Sequence, residues 1–182
     1  MSGAHYSPWI RRLHWLVFVL VACALFLIYL HGWSPRGSAL RANAEWAHMQ
    51  FGIVILLIML PRLLMRARSG SAPPITPPSP HWQMALARLV HVVLYLLLFA
   101  TPMLGITMMS MRGHAWSFLG IPMPHLSAPD RPLAHELEKI HTTCGHILMY
   151  LAAAHALVGL FHHFFQRDDA LKRMLPPWRI SE

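Results

Sequence analysis

The chain has 182 residues, of which 55% are hydrophobic and only 12% are charged, and its mean hydropathy is +0.43. A soluble domain of this length would carry about twice that share of charged residues, so an ordinary soluble fold is excluded. The net charge of +8 does not indicate nucleic-acid binding, because the basic residues gather at the ends of apolar runs, where a membrane protein needs them. Cys23 and Cys144 lie inside apolar runs, so no disulfide is expected.

Four apolar runs, at about 13–30, 46–65, 84–111 and 137–165, are each long enough to cross the hydrocarbon core of a bilayer as a helix. They do not alternate as barrel strands do, and a backbone in lipid must bond to itself. The first run is long for the core of a signal peptide, and no small-residue cleavage site follows it, so we interpret it as an anchored helix. The sequence therefore predicts an all-α integral membrane protein, a four-helix bundle that forms one domain over residues 1–182.

The basic residues predict the orientation of this bundle. The N-terminal flank, the connector between the second and third runs with its helix ends, and the C-terminal tail hold ten of them, and the other two loops hold five. By the positive-inside rule, both termini are expected in the cytoplasm. The ten are Arg11, Arg12, Arg62, Arg66, Arg68, Arg88, Arg167, Lys172, Arg173 and Arg179. The loop over residues 112–134 then lies outside, and we expect it to fold over the mouth of the bundle.

Four histidines in the apolar runs sort into two levels. His141 and His155 are fourteen residues apart on one stripe of the fourth helix, roughly 21 Å along its axis. His48 shares the outer level with His141, and His14 shares the inner level with His155. Two opposed imidazoles at each level are what a six-coordinate haem iron needs. No C-x-x-C-H motif is present, so covalent attachment is excluded and two non-covalent haems are expected.

Other interpretations of these residues remain open. A single membrane histidine often only bonds a neighbouring helix. Zinc would require a tetrahedron of close ligands, usually including Cys, Asp or Glu. Met49 or Met149 could serve as an axial ligand, although methionines more simply fill the core. His91, in the third helix at the depth of His14, could replace it as the inner ligand.

The runs LHWLVFVLV, AHMQFGIVILLIMLPRLLMR and LVHVVLYLLLFATPMLGITMM, with H-x13-H followed by FHHFF and DDALKRMLP, resemble the prokaryotic cytochrome b561 family over about residues 6–176. The resemblance implies a bacterial inner-membrane electron carrier that encloses two b haems, with axial ligands mapping to His14, His48, His141 and His155. It also implies oxidation of superoxide on the outer side and reduction of ubiquinone.

The remaining inner histidines, His91 and His162 with His163 beside it, suit a quinone site, because imidazole can bond a quinone oxygen and pass protons near neutral pH. The alternative is a histidine cluster at the headgroups. The donor also stays open, because the outer loops carry five basic and four acidic residues and so show no strongly positive face. Superoxide is one candidate, and a protein or another small molecule is the other.

Two classes of function remain. One is a stand-alone oxidoreductase that links an outer donor to quinone, with membrane lipid around it and no nucleic-acid partner. The other is a haem-bearing membrane anchor, or relay subunit, of a larger dehydrogenase or hydrogenase. The short loops favour the first.

Overall fold

The computed structural model describes residues 6–70, 75–125 and 128–175. Its four α-helices are α1 (Pro8–Trp33), α2 (Ala39–Arg68), α3 (His81–Met111) and α4 (Arg131–Phe161), and a short π-helix, His162–Gln166, follows α4. All four are long and apolar enough to cross a membrane, which confirms the predicted all-α membrane bundle. Arg179, which contributed to the predicted orientation, lies outside the described residues.

All four helices begin before the apolar runs, and polar side chains cap two of them, α2 and α4. The Ser38 hydroxyl accepts a hydrogen bond from the Arg41 amide at the start of α2, and the Asp130 carboxylate does the same for Leu133 at the start of α4. Pro8 occupies the first turn of α1, where its missing amide hydrogen costs no helical bond. The apolar runs thus marked the membrane-crossing parts of longer helices.

The bundle is built from two halves, α1 packed along α2 and α3 packed along α4. A smaller contact between α2 and α3 joins the halves. A buried hydrophobic cluster lies mainly within the first half and contains Val17, Ala24, Ile55 and Met59. Large apolar side chains such as Phe26, Leu96 and Leu157 cover the outer faces, as expected for a surface in contact with lipid.

At one end of the bundle, the loop between α3 and α4 contains a small antiparallel hairpin of β1 (Ser117–Phe118) and β2 (Ile121–Pro122). We call this the hairpin end. Gln50 of α2 holds the loop, because its amide donates to the Ser117 carbonyl at 3.0 Å and its side-chain oxygen accepts from the Leu119 amide at 2.8 Å. The loop therefore folds back on α2, as expected, although the two short strands were not predicted.

At the opposite end, which we call the terminal end, the segment after the π-helix packs against α1. Arg11 donates to the Leu175 carbonyl at 2.9 Å, and the Trp15 indole donates to the Met174 carbonyl at 2.8 Å. Asp169 accepts from the Thr76 amide at 2.9 Å, which ties this tail to the connector between α2 and α3.

The pKa of Asp169 lies below its ordinary value. Burial works against ionisation, but the Thr76 amide and the Arg173 guanidinium outweigh it.

Candidate functional site: two facing histidine pairs

The first histidine pair lies toward the hairpin end and joins the two halves. The rings of His48 on α2 and His141 on α4 face each other with centroids 6.1 Å apart and planes at 88°. His48 Nδ1 is 2.8 Å from the Ala24 carbonyl, and His141 Nδ1 is 2.9 Å from the Thr101 carbonyl. A carbonyl oxygen only accepts, so each Nδ1 carries the hydrogen and each Nε2 keeps a free lone pair, which is the form that binds a metal.

Glutamates precede both of these histidines by three residues but do not complete a metal site with them. The carboxylates of Glu45 and Glu138 instead pair with Arg112, at 3.3 and 3.1 Å. This bridge joins the start of α2, the end of α3 and the start of α4 above the histidine pair. Among the described residues, no group of three or more His, Cys, Asp or Glu side chains could hold a metal ion. The zinc interpretation therefore has no support in the structure.

The second group of histidines lies toward the terminal end and has three members. His14 on α1 faces His155 on α4 with ring centroids 6.4 Å apart. His91 on α3 lies closer to His155, at 5.1 Å. His91 Nδ1 is 2.6 Å from the Ala87 carbonyl of its own helix, so its Nε2 is also free. The structure thus brings together both candidates for the inner partner of His155.

Arg62 distinguishes the two candidates chemically. Its guanidinium contacts His14 Nδ1 at 2.9 Å and also donates to the Leu13 carbonyl and the Tyr95 hydroxyl. Since a guanidinium only donates, Nδ1 of His14 accepts and the hydrogen of the neutral ring sits on Nε2. Binding of a metal by His14 Nε2 therefore requires Arg62 to leave Nδ1.

The spacing of both pairs fits a haem iron. Two imidazoles on opposite sides of one metal, each with a metal–nitrogen bond of about 2 Å, have centroids roughly 6 Å apart. The pairs His48–His141 and His14–His155 match this separation at 6.1 and 6.4 Å. The pair His91–His155, at 5.1 Å, is too close for iron to sit between the two nitrogens.

The backbone beside the pairs also has room for a flat cofactor. A glycine follows His48, His141 and His155 by one helical turn in each case, at positions 52, 145 and 159. A Cβ placed at Gly145 or Gly159 would meet nothing within 4 Å. A macrocycle bound by the preceding histidine can therefore approach the helix backbone at these positions.

The predicted proton-transfer residues occupy two different places. His91 contacts the His155 ring, whereas the Nδ1 of His162 lies 2.5 Å from an oxygen of Asp168. Within the described residues, no ring contact joins His91 to His162. The helix predicted to run to about residue 165 continues to Gln166, but its winding changes from α to π at His162, and Arg167 then adopts a left-handed conformation with φ of 54°. This change of winding places Asp168 beside His162.

Sequence reasoning missed Arg62 and Asp168. Arg62 was counted only as a basic flanking residue, although it stands inside an apolar run, and a charge in that position is a functional signal. Asp168 carried no comparable signal, because its contact with His162 depends on the π-helix, which the hydrophobic pattern does not encode.

Four membrane-length helices with histidines that face each other between them are the features of a polytopic membrane protein that binds a cofactor inside its helix bundle. The model of the family described as prokaryotic cytochrome b561 matches residues 5–177, and the chain belongs to that family. It is 39% identical over 164 residues to cytochrome b561 homolog 1 of Escherichia coli, covering 90% of this chain and 93% of the relative. It is 35% identical over 167 residues to the probable superoxide oxidase CybB of Yersinia pestis, covering 92% and 93%.

A cytochrome b562 of Cereibacter sphaeroides is 28% identical over 173 residues, covering 91% of each chain. Family membership makes this chain a transmembrane b-type cytochrome, an oxidoreductase that transfers electrons in a bacterial membrane.

Proposed function

We propose that the chain carries electrons across the inner membrane through two non-covalently bound b haems, one at each histidine level. His48 and His141 would hold the haem at the hairpin end, and His14 and His155 the haem at the terminal end. The observation that carries the proposal is that both pairs join the two halves of the bundle at the ring separation an iron requires. Each haem would supply a one-electron couple, and filled axial positions favour electron transfer over oxygen binding.

His14 is preferred to His91 as the inner ligand because of ring separation, although His91 already has a free Nε2. The choice requires Arg62 to turn away from His14 Nδ1 when iron binds. The ring hydrogen of His14 would then sit on Nδ1, which leaves on Nε2 the lone pair that a metal needs.

Single histidine variants test these assignments by how they group. Redox titration and low-temperature electron paramagnetic resonance of the purified protein should resolve two haem components. His48→Ala and His141→Ala should remove the same component, and His14→Ala and His155→Ala should remove the other. Loss of a haem in His91→Ala with both haems retained in His14→Ala would instead make His91 the ligand.

We further propose that the hairpin end faces the outside and receives electrons there, with superoxide as the favoured donor. The relative named a probable superoxide oxidase supports this choice. A shallow pocket of about 410 Å³ at this end is lined by Arg112, His114, Arg131, His135, Ala134 and Glu138. Although the outer loops are nearly neutral overall and Arg112 is paired with Glu45 and Glu138, Arg131 adds a positive charge to the lining of this pocket that can attract a small anion.

The anion proposal is tested with Arg131→Gln under a constant flux of superoxide. The rate of haem reduction should fall in the variant and should fall with ionic strength in the wild type, because steering of an anion is screened by salt. Lys139→Gln is the matched control, since Lys139 is exposed and already paired with Glu136 at 2.8 Å. Equal rates in Arg131→Gln and the wild type, without salt dependence, would favour a donor that is not a small anion.

At the terminal end we propose that ubiquinone is reduced, with His91 and His162 supplying protons. His162→Phe and His91→Phe should leave both haem spectra and the rate of haem reduction nearly unchanged. Quinone reduction should slow by about ten- to ten-thousand-fold, as expected for loss of a general acid. Wild-type quinone reduction in both variants would remove the assignment and leave these histidines as interfacial anchors.

The relay alternative makes a different prediction for the isolated chain. A haem-bearing anchor of a larger complex would accept electrons but show no turnover with quinone when purified alone. Steady turnover of the purified chain with an outer donor and a ubiquinone analogue supports the stand-alone oxidoreductase.

A further inference from the structure

Asp168 is a buried carboxylate that contacts one of the proposed proton-transfer residues. It is only 2% exposed, and its two oxygens have separate partners. Oδ2 lies 2.5 Å from His162 Nδ1, and Oδ1 accepts from the Ala170 amide at 3.0 Å. A carboxylate so far out of water is costly unless charged or hydrogen-bonded groups compensate it.

The backbone is shaped to make this contact. Five residues, His162–Gln166, form a π-helix, and Arg167 then adopts φ of 54°, a left-handed conformation that is uncommon for a residue other than glycine. π-helical turns are frequent at functional sites. The turn carries the chain back so that the residue after Arg167 faces the His162 ring, six positions earlier.

We propose that Asp168 is the positioning residue of the terminal-end proton site, holding His162 by Nδ1 so that Nε2 is the nitrogen that takes up a proton and passes it on. The proposal rests on the quinone reduction proposed above. The carboxylate accepts from Nδ1–H, so Nε2 of the neutral ring carries a lone pair and is the nitrogen that gains a proton from water and then gives it up.

The proposed reduction of quinone balances in both protons and electrons. Reduction of one quinone to a quinol takes two electrons and two protons, and two superoxide ions supply the electrons as they become two molecules of oxygen. Each time His162 acts, its Nε2–H bond breaks and an O–H bond forms at a quinone oxygen. The ring then takes a replacement proton from water at the terminal end, with Nδ1 bonded to Asp168 throughout.

The competing explanation is that Asp168 only fastens the tail. Its neighbour Asp169 has that role by geometry, because it joins Thr76 and the Arg173 guanidinium without touching a histidine. Asp169→Asn is therefore the matched control for Asp168→Asn, in which the amide keeps the size and one acceptor of the side chain but loses the charge.

The experiment measures haem reduction and quinone reduction separately in the full-length purified protein with both haems bound. Asp168→Asn should leave haem content, haem spectra and haem reduction unchanged and slow quinone reduction by about ten- to a hundredfold. Asp168→Glu should recover part of the rate, and Asp169→Asn should resemble the wild type.

Combining Asp168→Asn with His162→Phe shows whether Asp168 acts through His162 or through the structure of the tail. If the two side chains act together, their separate losses in the rate of quinone reduction do not add up in the double variant. The double variant should be no slower than His162→Phe alone.

Three results would overturn the proposal. One is a further loss in the double variant, the second is an equal loss in Asp169→Asn, and the third is no recovery of the rate in Asp168→Glu. A slow His162→Phe beside a normal Asp168→Asn would reject this inference and leave the quinone site standing. A normal His162→Phe would reject the quinone site itself.

Discussion

Gly105 stands behind the His141 ring, and its replacement by alanine tests whether the position of that ring matters. A Cβ at residue 105 would lie 3.1 Å from Cε1 and 3.4 Å from Nδ1 of His141. Ordinary carbon–carbon contacts are about 3.5–4.0 Å, so the ring must retreat from α3 by about 0.4 Å or more. This movement stretches the 2.9 Å bond from Nδ1 to the Thr101 carbonyl, which lies on α3 as well.

The change should weaken one hydrogen bond, which contributes about 0.5–1.5 kcal/mol. A loss of that size corresponds to a haem affinity that is about two- to tenfold lower. The assay follows transfer of haem from the purified protein to an excess of a haem-scavenging apoprotein. Gly105→Ala should speed the loss of the hairpin-end haem by that factor and leave the other phase unchanged. Gly32→Ala is the control, because a Cβ there meets nothing within 4 Å. Two unchanged phases in Gly105→Ala would show that His141 does not hold a haem in this position.

Three further predictions follow from the geometry. Arg62→Gln removes the cation beside His14 and should lower the midpoint potential of the terminal-end haem by tens of millivolts, since a nearby positive charge favours the reduced form; Arg66→Gln, one turn further along α2, should change it less. Gly145→Ala should reduce haem binding at the hairpin end although the added methyl group meets no protein atom, and unchanged haem content would remove the proposed contact with the macrocycle. The lowered pKa of Asp169 means that its contribution to tail stability is present above the ordinary carboxyl pKa and is lost as the pH falls through the lowered value. The protection factors for hydrogen exchange of the amides in residues 168–175 should therefore fall on acidification, and in Asp169→Asn they should be lower at neutral pH and less sensitive to acid.

Hydrophobic length and histidine spacing were sufficient to predict the four helices and the two levels of histidines. Both depend on helical geometry alone: a run of about twenty apolar residues crosses the bilayer, and fourteen residues return a side chain to the same face. The ring pairs His48–His141 and His14–His155 are close in the structure for this reason. Their role as ligands stays a proposal.

The sequence could not predict features that depend on departures from regular winding or on contacts between distant segments. The π-helix that places Asp168 beside His162 has no hydrophobic signature, and the hairpin held by Gln50 depends on a loop that folds back over α2. The choice between His14 and His91 was also beyond sequence reasoning, because both lie at the same depth on different helices. Their ring distances to His155 and the contact of Arg62 with His14 emerge only from packing.

The central claim is that one chain holds two haems, and the haem-to-protein ratio tests it most directly. The pyridine haemochrome spectrum of the purified, detergent-solubilised protein gives the amount of haem b, and amino-acid analysis gives the amount of polypeptide. The account predicts two haems per chain, all of which acid–acetone extracts. A ratio of one, or haem that stays on the polypeptide after extraction, would contradict it.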